Sequence, residues 1–408
     1  MIVQKYGGTS VGNATRIRRV CRRISETVAA GNQVVAVVSA MGHTTDRLIA
    51  LARRVSSEPP PRELDMLVAN GETITAPLVA MCLQNHGVPA VSLSGPQAGV
   101  RTSNHHSKAR IREIRPVRIL EALERGMVPV VAGFQGASEE LEITTLGRGG
   151  SDTTAVALAA ALGAEACEIY TDVDGIMTAD PRVEPAARLL PHIAYEEILE
   201  MAAVGAKVMH PRAVEIGELY GVAIHVRSSF HRRPGTMIVA EVPMEDRNRV
   251  RSVAHELGIA KVTVRGVPDE PGVAAAVFEP LSAAGISVDV IVQNVSSEAH
   301  TDLTFTVNDE ELAQALRLVE PAVEQVQGRS VNHSGGLAKV SLVGTGMLNT
   351  PGIAARMFRT LADAGINIEM ISTSEIRITC IVEQDQALLA VRALHAAFDL
   401  DQVPAAPA

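Results

Sequence analysis

The sequence predicts an α/β protein with a mostly parallel sheet sandwiched by helices, followed by two smaller α+β domains. Apolar strand-like runs alternate with helical stretches up to about residue 230, and a charged segment containing Pro234, Gly235 and Pro243 follows. The rest of the chain repeats itself at an offset of 80 residues. Alternating strands and helices are typical of a parallel sheet that is covered on both faces.

The N-terminal region carries the strand and helix pattern. Short apolar runs predict buried strands, and longer stretches with apolar residues at helical spacing predict helices. The predicted strands are Val34–Ser39, Val88–Leu93, Met127–Ala132, Ala166–Thr171 and Ala223–Arg227, and the clearest helices are Thr15–Ala30 and Thr153–Leu162. For the second helix we expect Ser151 or Asp152 as the N-cap, and Gly163 lies just beyond its end.

Composition limits the kinds of partner. The 408-residue chain has a formal net charge of −9 and 2% aromatic residues, whereas a nucleic-acid surface needs basic patches and stacking rings. No apolar run approaches the roughly 18 to 20 residues that a membrane span requires. We therefore expect a cytoplasmic protein that binds small molecules and neither nucleic acid nor membrane. The four cysteines form no CxxC pair, so we expect reduced thiols.

Two glycine-rich segments indicate a site for a phosphorylated ligand. The first, Lys5–Ser10, reads KYGGTS, and the second, Gly147–Asp152, reads GRGGSD. Each follows a strand-like run and carries one cation. Glycine lets the backbone approach a ligand, consecutive N–H groups form a concave anion nest, and the cation neutralises charge. Two such loops in one chain are able to hold two anionic partners face to face.

The C-terminal region contains an internal repeat. Pro271–Val273 and Ala284–Ile286 recur as Pro351–Ile353 and Ala364–Ile366 at the constant offset of 80. Each copy predicts a strand, a Pro-Gly turn, a helix, a glycine cap and a second strand. A repeat this long with only two copies indicates tandem small α+β modules rather than a solenoid.

Five motifs in order along the chain resemble those of bacterial aspartate kinases. They are Lys5–Ser10, Val38–Gly42, Asn70–Glu72, Thr144–Asp152 and Tyr170–Arg182. The repeat resembles the paired ACT domains of the same family. The resemblance covers nearly the whole chain and implies an amino-acid kinase fold followed by two ferredoxin-like ACT domains. The implied boundaries are 1–230 for the catalytic domain, 231–258 for a linker, 259–336 and 337–400 for the ACT domains, and 401–408 for a flexible tail.

The resemblance also implies a reaction. The γ-phosphoryl group of ATP, which arrives with Mg²⁺, is transferred to the side-chain carboxylate of L-aspartate, giving 4-phospho-L-aspartate and ADP. This is the first step toward lysine, threonine, methionine and diaminopimelate. Because the attacking carboxylate is already an anion, the reaction needs positioning and charge neutralisation rather than a strong base.

Roles for individual residues follow from the same resemblance. Lys5 contacts the transferring phosphoryl group, and Asp152 organises Lys5. Arg148 binds the α-carboxylate of aspartate with its planar fork, and Glu72 binds the α-ammonium. Taken alone, Lys5 is better interpreted as an exposed strand-end cation, and Glu72 as a carboxylate favoured by a helix N-terminus. The other implied substrate-binding residues are Ser39, Thr44, Thr45, Gly149, Gly150 and Ser151.

The implied nucleotide and effector sites are larger sets. For ATP they are Lys5, Gly7, Gly8, Thr171, Asp172, Thr178, Asp180, Pro181, Arg182 and Lys207. For effector amino acids they are Asp269, Gly272, Ala274, Gln293, Asn294, Thr350, Asn367, Ile368, Ser372, Ser374 and Glu375. No resident metal site is expected, since Mg²⁺ seldom has an all-protein cage. The effector is threonine, lysine or both.

Assembly is a further implication. ACT modules pair edge to edge, which predicts a homo-oligomer. Some members of the family also make the regulatory half as a separate chain, and Met244 lies where such a start would fall.

Pro77 departs from the sequence pattern of the family, and two alternatives to the aspartate kinase function remain. Pro77 lies in the helix expected after Glu72, which predicts a late start or a kink. Another kinase that phosphorylates a carboxylate, such as a glutamate kinase, would share the fold but would not combine this Arg148 motif with tandem ACT modules. A catalytically silent amino-acid sensor would explain the repeat and leave the charges of Lys5 and Asp152 unexplained.

Overall fold

Two structural units divide the chain. The structure is a computed structural model that describes residues 1–206, 208–242, 250–295, 299–347 and 350–402. Unit 1 comprises Met1–Met177, Leu189–Ala203 and Lys207–Asp246, and unit 2 comprises Thr178–Arg188, Val204–Ala206 and Arg247–Ala408. Unit 1 contains the predicted parallel sheet, and unit 2 contains the sequence repeat.

Unit 1 is built on one large and one small sheet. Its strands are β1 Ile2–Tyr6, β2 Val34–Val38, β3 Ala90–Leu93, β4 Val100–Thr102, β5 Ile111–Ile114, β6 Val128–Ala132, β7 Gln135–Ala137, β8 Ile143–Thr145, β9 Ala166–Thr171, β10 His192–Ala194, β11 Ile224–Ser228 and β12 Thr236–Val239. The large sheet has the order β10-β12-β11-β9-β1-β2-β6-β3, and the small sheet has the order β5-β4-β7-β8. In the large sheet only the pair of β11 and β12 is antiparallel, among the residues that the structure describes.

The large sheet confirms the predicted α/β class. All five predicted strands belong to it, as β2, β3, β6, β9 and β11. Every residue of Val34–Val38 and of Val128–Ala132 is buried. Such continuous apolar runs are expected of parallel strands that are covered on both faces. The small sheet was not predicted, because its strands of three or four residues are too short to show a pattern.

Helices cover both faces of the large sheet. They are α1 Ala14–Ala29, α2 Thr44–Val55, α3 Pro61–Val68, α4 Asn70–Asn85, α5 Val117–Glu124, α6 Gly150–Leu162, α7 Tyr195–Ala203 and α8 Pro211–Tyr220. On one face, α1 and α4 bury Ile24 and Leu83 against Ala36 and Val130. On the other face, α6 packs on β1 and β9. The apolar core of unit 1 therefore fixes where α6 begins relative to the end of β1.

The helix after Glu72 differs from the sequence prediction. It neither starts late nor stops at Pro77, since α4 runs continuously from Asn70 to Asn85. Together with α3 it forms a helical run, Pro61–Asn85. Judged only by its length and composition, this run is long and apolar enough to cross a membrane. By length and composition this run contradicts the prediction that no apolar run approaches the length of a membrane span, because polar residues are interspersed in it and the run was overlooked. Half of the most apolar window of the run is buried inside the protein, as in the core helix of a globular unit.

Unit 2 contains a six-stranded sheet with helices. Its strands are β13 Ser252–Pro268, β14 Asp289–Val295, β15 His300–Asn308, β16 Ser330–Val343, β17 Met370–Thr373 and β18 Arg377–Glu383. Its helices are α9 Val273–Ala283, α10 Leu312–Gln325, α11 Ile353–Asp363 and α12 Ala387–Ala397. The strand order is β14-β15-β13-β16-β18-β17, and all adjacent pairs are antiparallel.

The predicted repeat is present in unit 2. Gly272 and Gly352 precede α9 and α11 with φ angles of +99° and +98°, a left-handed conformation that favours glycine. Gly285 and Gly365 follow the two helices with φ angles of +73° and +71°. Each copy therefore has the predicted strand, Pro-Gly turn, helix, glycine and strand.

The two copies of the repeat share their central strands. The first half of β13 pairs with the second half of β16, from Ser252 opposite Val343 to Leu257 opposite Ala338. The second half of β13 pairs with both β15 and the start of β16. The strand that completes the second module thus precedes the first module in the chain. One module is therefore inserted into the other in the order of the chain. The sequence repeat predicted two modules in tandem and did not indicate this insertion.

Two strands lie inside the range 231–258, for which we predicted a linker. Thr236–Val239 forms β12 in the large sheet, and β13 begins at Ser252. β12 pairs with β11, the preceding strand of the chain, and with β10, whereas β13 pairs with β15 and β16, which are distant in sequence. The high charge and the prolines of this range led to the linker prediction. Residues 243–249, including Met244, and residues 403–408 of the predicted tail lie outside the described residues.

Candidate active site

The candidate site of unit 1 lies where the strand order of the large sheet reverses. β2 follows β1 on one side of it, whereas β9 and β11 lie on the other side. Ligands of open α/β sheets bind beyond the carboxyl ends of strands at such a reversal. Tyr6, the last residue of β1, is in register with Val38 and Tyr170. The segments after β1, β2 and β9 therefore leave the sheet at one edge, and they contain the predicted residues Gly7, Gly8, Ser39 and Asp172.

A buried cation lies at this edge. The side chain of Lys5 is 9% exposed, and its Nζ lies 2.5 Å from Oδ1 of Asp152. Asp152 is in the first turn of α6, where the helix dipole stabilises a negative charge. Within the described chain Oδ1 of Asp152 has no aligned hydrogen bond, so the contact is an ion pair. The structure thus brings Lys5 and Asp152 together, and the role of Asp152 in organising Lys5 stays a prediction.

The start of α6 differs from the prediction. The N-cap is Gly149, with a φ of +68°, and Ser151 and Asp152 lie inside the first turn. A serine or aspartate cap needs an extended backbone, whereas the turn before α6 is left-handed. Ser151 is buried, and Asp152 is directed toward Lys5 instead of capping the helix.

The first glycine loop is hydrogen-bonded to β9 and to the loop after β2. The Gly7 N–H donates to the Tyr170 carbonyl at 3.1 Å, and the Gly42 N–H donates to the Gly8 carbonyl at 2.9 Å. A Cβ on Gly8 would lie 2.9 Å from the carbonyl oxygen of Ala40. Only glycine permits this approach of two backbones, which brings the loops after β1 and β2 together beside Lys5.

Glu72 is buried with one free oxygen. Its residue exposure is 3%, and its Oε1 accepts a hydrogen bond from the Ala40 N–H at 2.9 Å. Its Oε2 has no hydrogen-bond partner within the described chain. Burial raises the pKa of Glu72 to about 7, against the lowering effect of the hydrogen bond from Ala40. A buried carboxylate with a free oxygen is suited to receive a cation from a ligand.

The second glycine loop presents an exposed arginine. Arg148 follows β8 and is exposed, and it has no hydrogen bond or ion pair with the residues that the structure describes. Gly147 and Gly149 on either side have φ angles of +78° and +68°. A Cβ on Gly149 would clash with the ring of His210. The loop is therefore fixed in shape, and the guanidinium is available to a ligand.

The predicted hydroxyl residues lie around these loops. The Ser39 N–H donates to the Tyr6 carbonyl at 3.1 Å, and the Thr44 hydroxyl donates to the Met41 carbonyl at 2.6 Å. The Thr45 hydroxyl is 3.8 Å from the position that a Cβ on Gly71 would occupy. Direct contacts thus join Lys5 to Asp152, and a separate contact joins Glu72 to the loop after β2. Arg148 is not joined to Glu72 by a direct contact in the described chain.

The predicted ATP residues are divided between the two units. Thr171 and Asp172 end β9 in unit 1, whereas Thr178, Asp180, Pro181 and Arg182 belong to unit 2. In unit 2 the Thr178 hydroxyl lies 2.9 Å from His395 Nε2 and accepts a hydrogen bond from the Arg188 N–H. The guanidinium of Arg182 lowers the pKa of Asp180 by hydrogen bonding. Lys207 lies outside the described residues.

The predicted effector residues occupy equivalent parts of the two modules. Asp269, Gly272 and Ala274 lie before or in the first turn of α9, and Gln293 and Asn294 lie on β14. Thr350 precedes α11, Asn367 and Ile368 precede β17, Ser372 lies on β17, and Ser374 and Glu375 follow it. Most are exposed, as a ligand surface requires.

Two equivalent ion pairs join the modules. Lys261 Nζ lies 2.6 Å from Glu369 Oε2, and Lys339 Nζ lies 2.6 Å from Asp289 Oδ2. Asp289 and Glu369 are matching positions of the repeat. The hydrogen bond from Lys261 lowers the pKa of Glu369. Each module thus contributes a carboxylate that forms an ion pair with a lysine of the other module.

Sequence reasoning missed the residues that support the Arg148 loop. The Arg212 guanidinium donates to the carbonyls of Leu146 and Ala109 at 3.0 and 3.2 Å. Asp65 is 1% exposed and accepts hydrogen bonds from Thr145, just before the loop. The available signal for Asp65 was its place seven residues before Glu72, on the same helical face.

Comparison with known proteins identifies the family. Residues 1–228 match the amino acid kinase family, and residues 262–322 and 340–398 match the ACT domain. An aspartokinase of Thermus thermophilus is 50% identical over 404 residues, covering 98% of this chain and 99% of that protein. The chain belongs to the aspartokinase family.

Solved structures of the same family are also similar to this chain. E. coli aspartokinase III in complex with aspartate and ADP is 27% identical, with a TM-score of 0.80 over 98% of this chain and 100% of that one. The same enzyme in complex with lysine and aspartate has a TM-score of 0.76, and the match covers 98% of this chain and 99% of that one. These comparisons confirm the predicted family, the predicted fold and the two predicted ACT domains.

Proposed function

We propose that this chain transfers the γ-phosphoryl group of ATP to the side-chain carboxylate of L-aspartate, giving 4-phospho-L-aspartate and ADP. Membership of the aspartokinase family makes it an ATP-dependent kinase that acts on aspartate. The observation that carries the proposal is the buried pair of Lys5 and Asp152 at the carboxyl edge of the sheet. A fixed cation beside a helix N-terminus is suited to stabilise a transferring phosphoryl group.

The chemistry is electrostatic. The nucleophile is a carboxylate, so no proton has to be removed. It attacks the γ-phosphorus, the bond to the β-γ bridging oxygen of ATP breaks, and ADP leaves with the electron pair. Lys5 neutralises the charge on the phosphoryl oxygens, and Asp152 holds Lys5 in place. Gly7 and Gly8 carry no side chain, so the first glycine loop lets a phosphate group approach Lys5.

Aspartate is recognised by its two backbone charges. The free oxygen of Glu72 accepts the α-ammonium, and the exposed fork of Arg148 binds the α-carboxylate. Ser39, Thr44, Thr45 and Ser151 contribute hydroxyls around the substrate. This arrangement leaves the side-chain carboxylate directed at the phosphoryl group.

ATP would bind as its Mg²⁺ complex, and the metal would neutralise charge on the phosphates. Thr171, Asp172, Thr178, Asp180, Pro181, Arg182 and Lys207 form the nucleotide side in this proposal. The enzyme works in the cytoplasm, at the first step of lysine, threonine, methionine and diaminopimelate biosynthesis.

Regulation is assigned to the ACT modules. Lysine, threonine or both bind there and inhibit, with a coupling free energy of about 1 to 3 kcal/mol. A complex with lysine exists for E. coli aspartokinase III, which favours lysine as one effector. The modules also join copies of the chain into a homo-oligomer, and a separate regulatory chain that starts at Met244 is part of the same proposal.

The test is trapping of the acyl phosphate. With Mg-ATP and hydroxylamine, we expect aspartyl hydroxamate from L-aspartate, little hydroxamate from L-glutamate, and a decrease when lysine, threonine or both are added. Equal or greater product from glutamate would instead indicate a glutamate kinase. Binding of an effector with no turnover on either amino acid would indicate a sensor.

The raised pKa of Glu72 predicts how aspartate binding depends on pH. A protonated Glu72 cannot pair with the ammonium group, so the KM for aspartate should fall as pH rises to about 7, by up to tenfold per unit, and level off above that. Glu72→Gln should remove this dependence and raise KM at pH 8. It should not lower the melting temperature, because a buried charge is removed. A KM that rises with pH in the wild type would contradict the role of Glu72.

A further inference from the structure

Asp65 of α3 is a buried carboxylate that the reaction does not use directly. Its Oδ2 accepts hydrogen bonds from His106 Nδ1 at 3.0 Å, the Ser107 N–H at 2.9 Å and the Thr145 N–H at 3.0 Å. Its Oδ1 accepts from the Thr145 hydroxyl at 2.5 Å. Four donors from two separate chain segments thus converge on one side chain that is 1% exposed.

These donors hold the base of the Arg148 loop. Thr145 ends β8, two residues before Gly147. The Ser107 carbonyl oxygen lies 3.0 Å from the position that a Cβ on Gly147 would occupy, so the segment held by Asp65 packs directly on the loop. The Ala109 N–H donates to the Thr145 carbonyl at 2.9 Å, which closes a ring of contacts around Asp65.

The same helical run carries Glu72. Asp65 and Glu72 are seven residues apart, so their side chains leave one face of the run Pro61–Asn85. Glu72 contacts the loop after β2 through Ala40, and Asp65 contacts the end of β8 through Thr145. The two adjoining helices of this run therefore connect the base of the Arg148 loop to the carboxylate of Glu72.

We propose that Asp65 is a positioning residue for the binding of the amino-acid substrate, acting by holding the base of the Arg148 loop in place relative to Glu72. The proposal rests on the function proposed above, in which Arg148 and Glu72 bind the two backbone charges. It concerns neither phosphoryl transfer nor ATP, since the contacts of Asp65 end at the base of this loop.

The test compares the KM values of the two substrates in the full-length protein. Asp65→Ala leaves buried donors without an acceptor and should raise the KM for aspartate by about tenfold or more, with the KM for Mg-ATP changed by less than about twofold. Asp65→Asn should recover most of the affinity. Its amide oxygen is able to accept the three bonds now made to Oδ2, and its N–H₂ group is able to donate to the Thr145 hydroxyl.

The controls separate positioning from general destabilisation. Glu113→Gln removes an exposed carboxylate that pairs with Arg115 at 2.8 Å and should leave both KM values unchanged. If Asp65→Ala does not fold, Thr145→Val, which removes one donor without changing volume, should still raise the KM for aspartate selectively. An equal rise of both KM values in folded variants, or no rise in either, would overturn the inference.

The outcomes also separate this inference from the proposed function. If the wild-type protein forms no aspartyl hydroxamate, the function fails whatever Asp65 does. If the wild type is active and Arg148→Ala raises the KM for aspartate while Asp65→Ala and Thr145→Val do not, only the positioning role fails.

Discussion

Lys5→Ala is expected to lower kcat for aspartyl phosphate formation by roughly 10² to 10³, the usual effect of losing one donor to the transition state. The reason is that Lys5 is the cation of the Gly7–Gly8 loop and is held by Asp152 at the carboxyl edge of the sheet. The positive charge of Lys5 is most stabilising in the transition state, when the phosphoryl group lies between ADP and the aspartate carboxylate. The KM values should change much less than kcat, because the ground-state complexes keep Glu72, Arg148 and the glycine loop.

Two variants control this experiment. Arg18→Ala removes an exposed cation from α1 of the same unit and should leave kcat unchanged. Lys5→Arg keeps the charge and loses the compact ammonium, so it should remain well below the wild type. Thermal melting of each variant checks the fold, and the helix dipole at Asp152 should limit the loss of stability when Lys5 is removed. A folded Lys5→Ala protein with wild-type kcat would exclude Lys5 from phosphoryl transfer.

The parts of the fold that follow local rules were predictable from the sequence. Val34–Val38 and Val128–Ala132 are buried, apolar runs, and each became a strand within one or two residues of its predicted ends. Gly272 and Gly352 occupy turns whose conformation favours glycine, so the repeat was visible in the sequence before it was visible as structure. The pairing of Lys5 with a residue of the second glycine loop followed from the family resemblance rather than from any local pattern.

The remainder depends on partners that are distant in sequence. Ser252–Leu257 follows a charged segment with two prolines and was included in the predicted linker, but it forms a strand that pairs with Ala338–Val343. Asp65 reads as an ordinary helical acid until Thr145, eighty residues later, is placed against it. The predicted N-cap of α6 was wrong by two residues or more, because the cap position has a left-handed φ and lies against the ring of His210, where only glycine fits. Long-range contacts of this kind leave no periodic signal in the chain.

Arg148→Ala is expected to raise the KM for aspartate by roughly 10², because a fork that makes two charge-assisted hydrogen bonds to the α-carboxylate is lost. The guanidinium is exposed and has no partner within the described chain, so its removal breaks no contact of the described protein. The melting temperature should therefore be unchanged. This separation of affinity from stability distinguishes Arg148 from Asp65, whose side chain is buried.

Arg148→Lys is the decisive companion variant. A lysine keeps the positive charge and cannot bind both carboxylate oxygens in one plane, so the KM should still be about tenfold above the wild type. Arg125→Ala, an exposed arginine after α5, supplies the control with unchanged KM. Initial rates over a range of aspartate at saturating Mg-ATP measure each value. If Arg148→Lys binds aspartate as tightly as the wild type, the loop supplies only charge, and recognition of the α-carboxylate by two parallel hydrogen bonds from Arg148 is excluded.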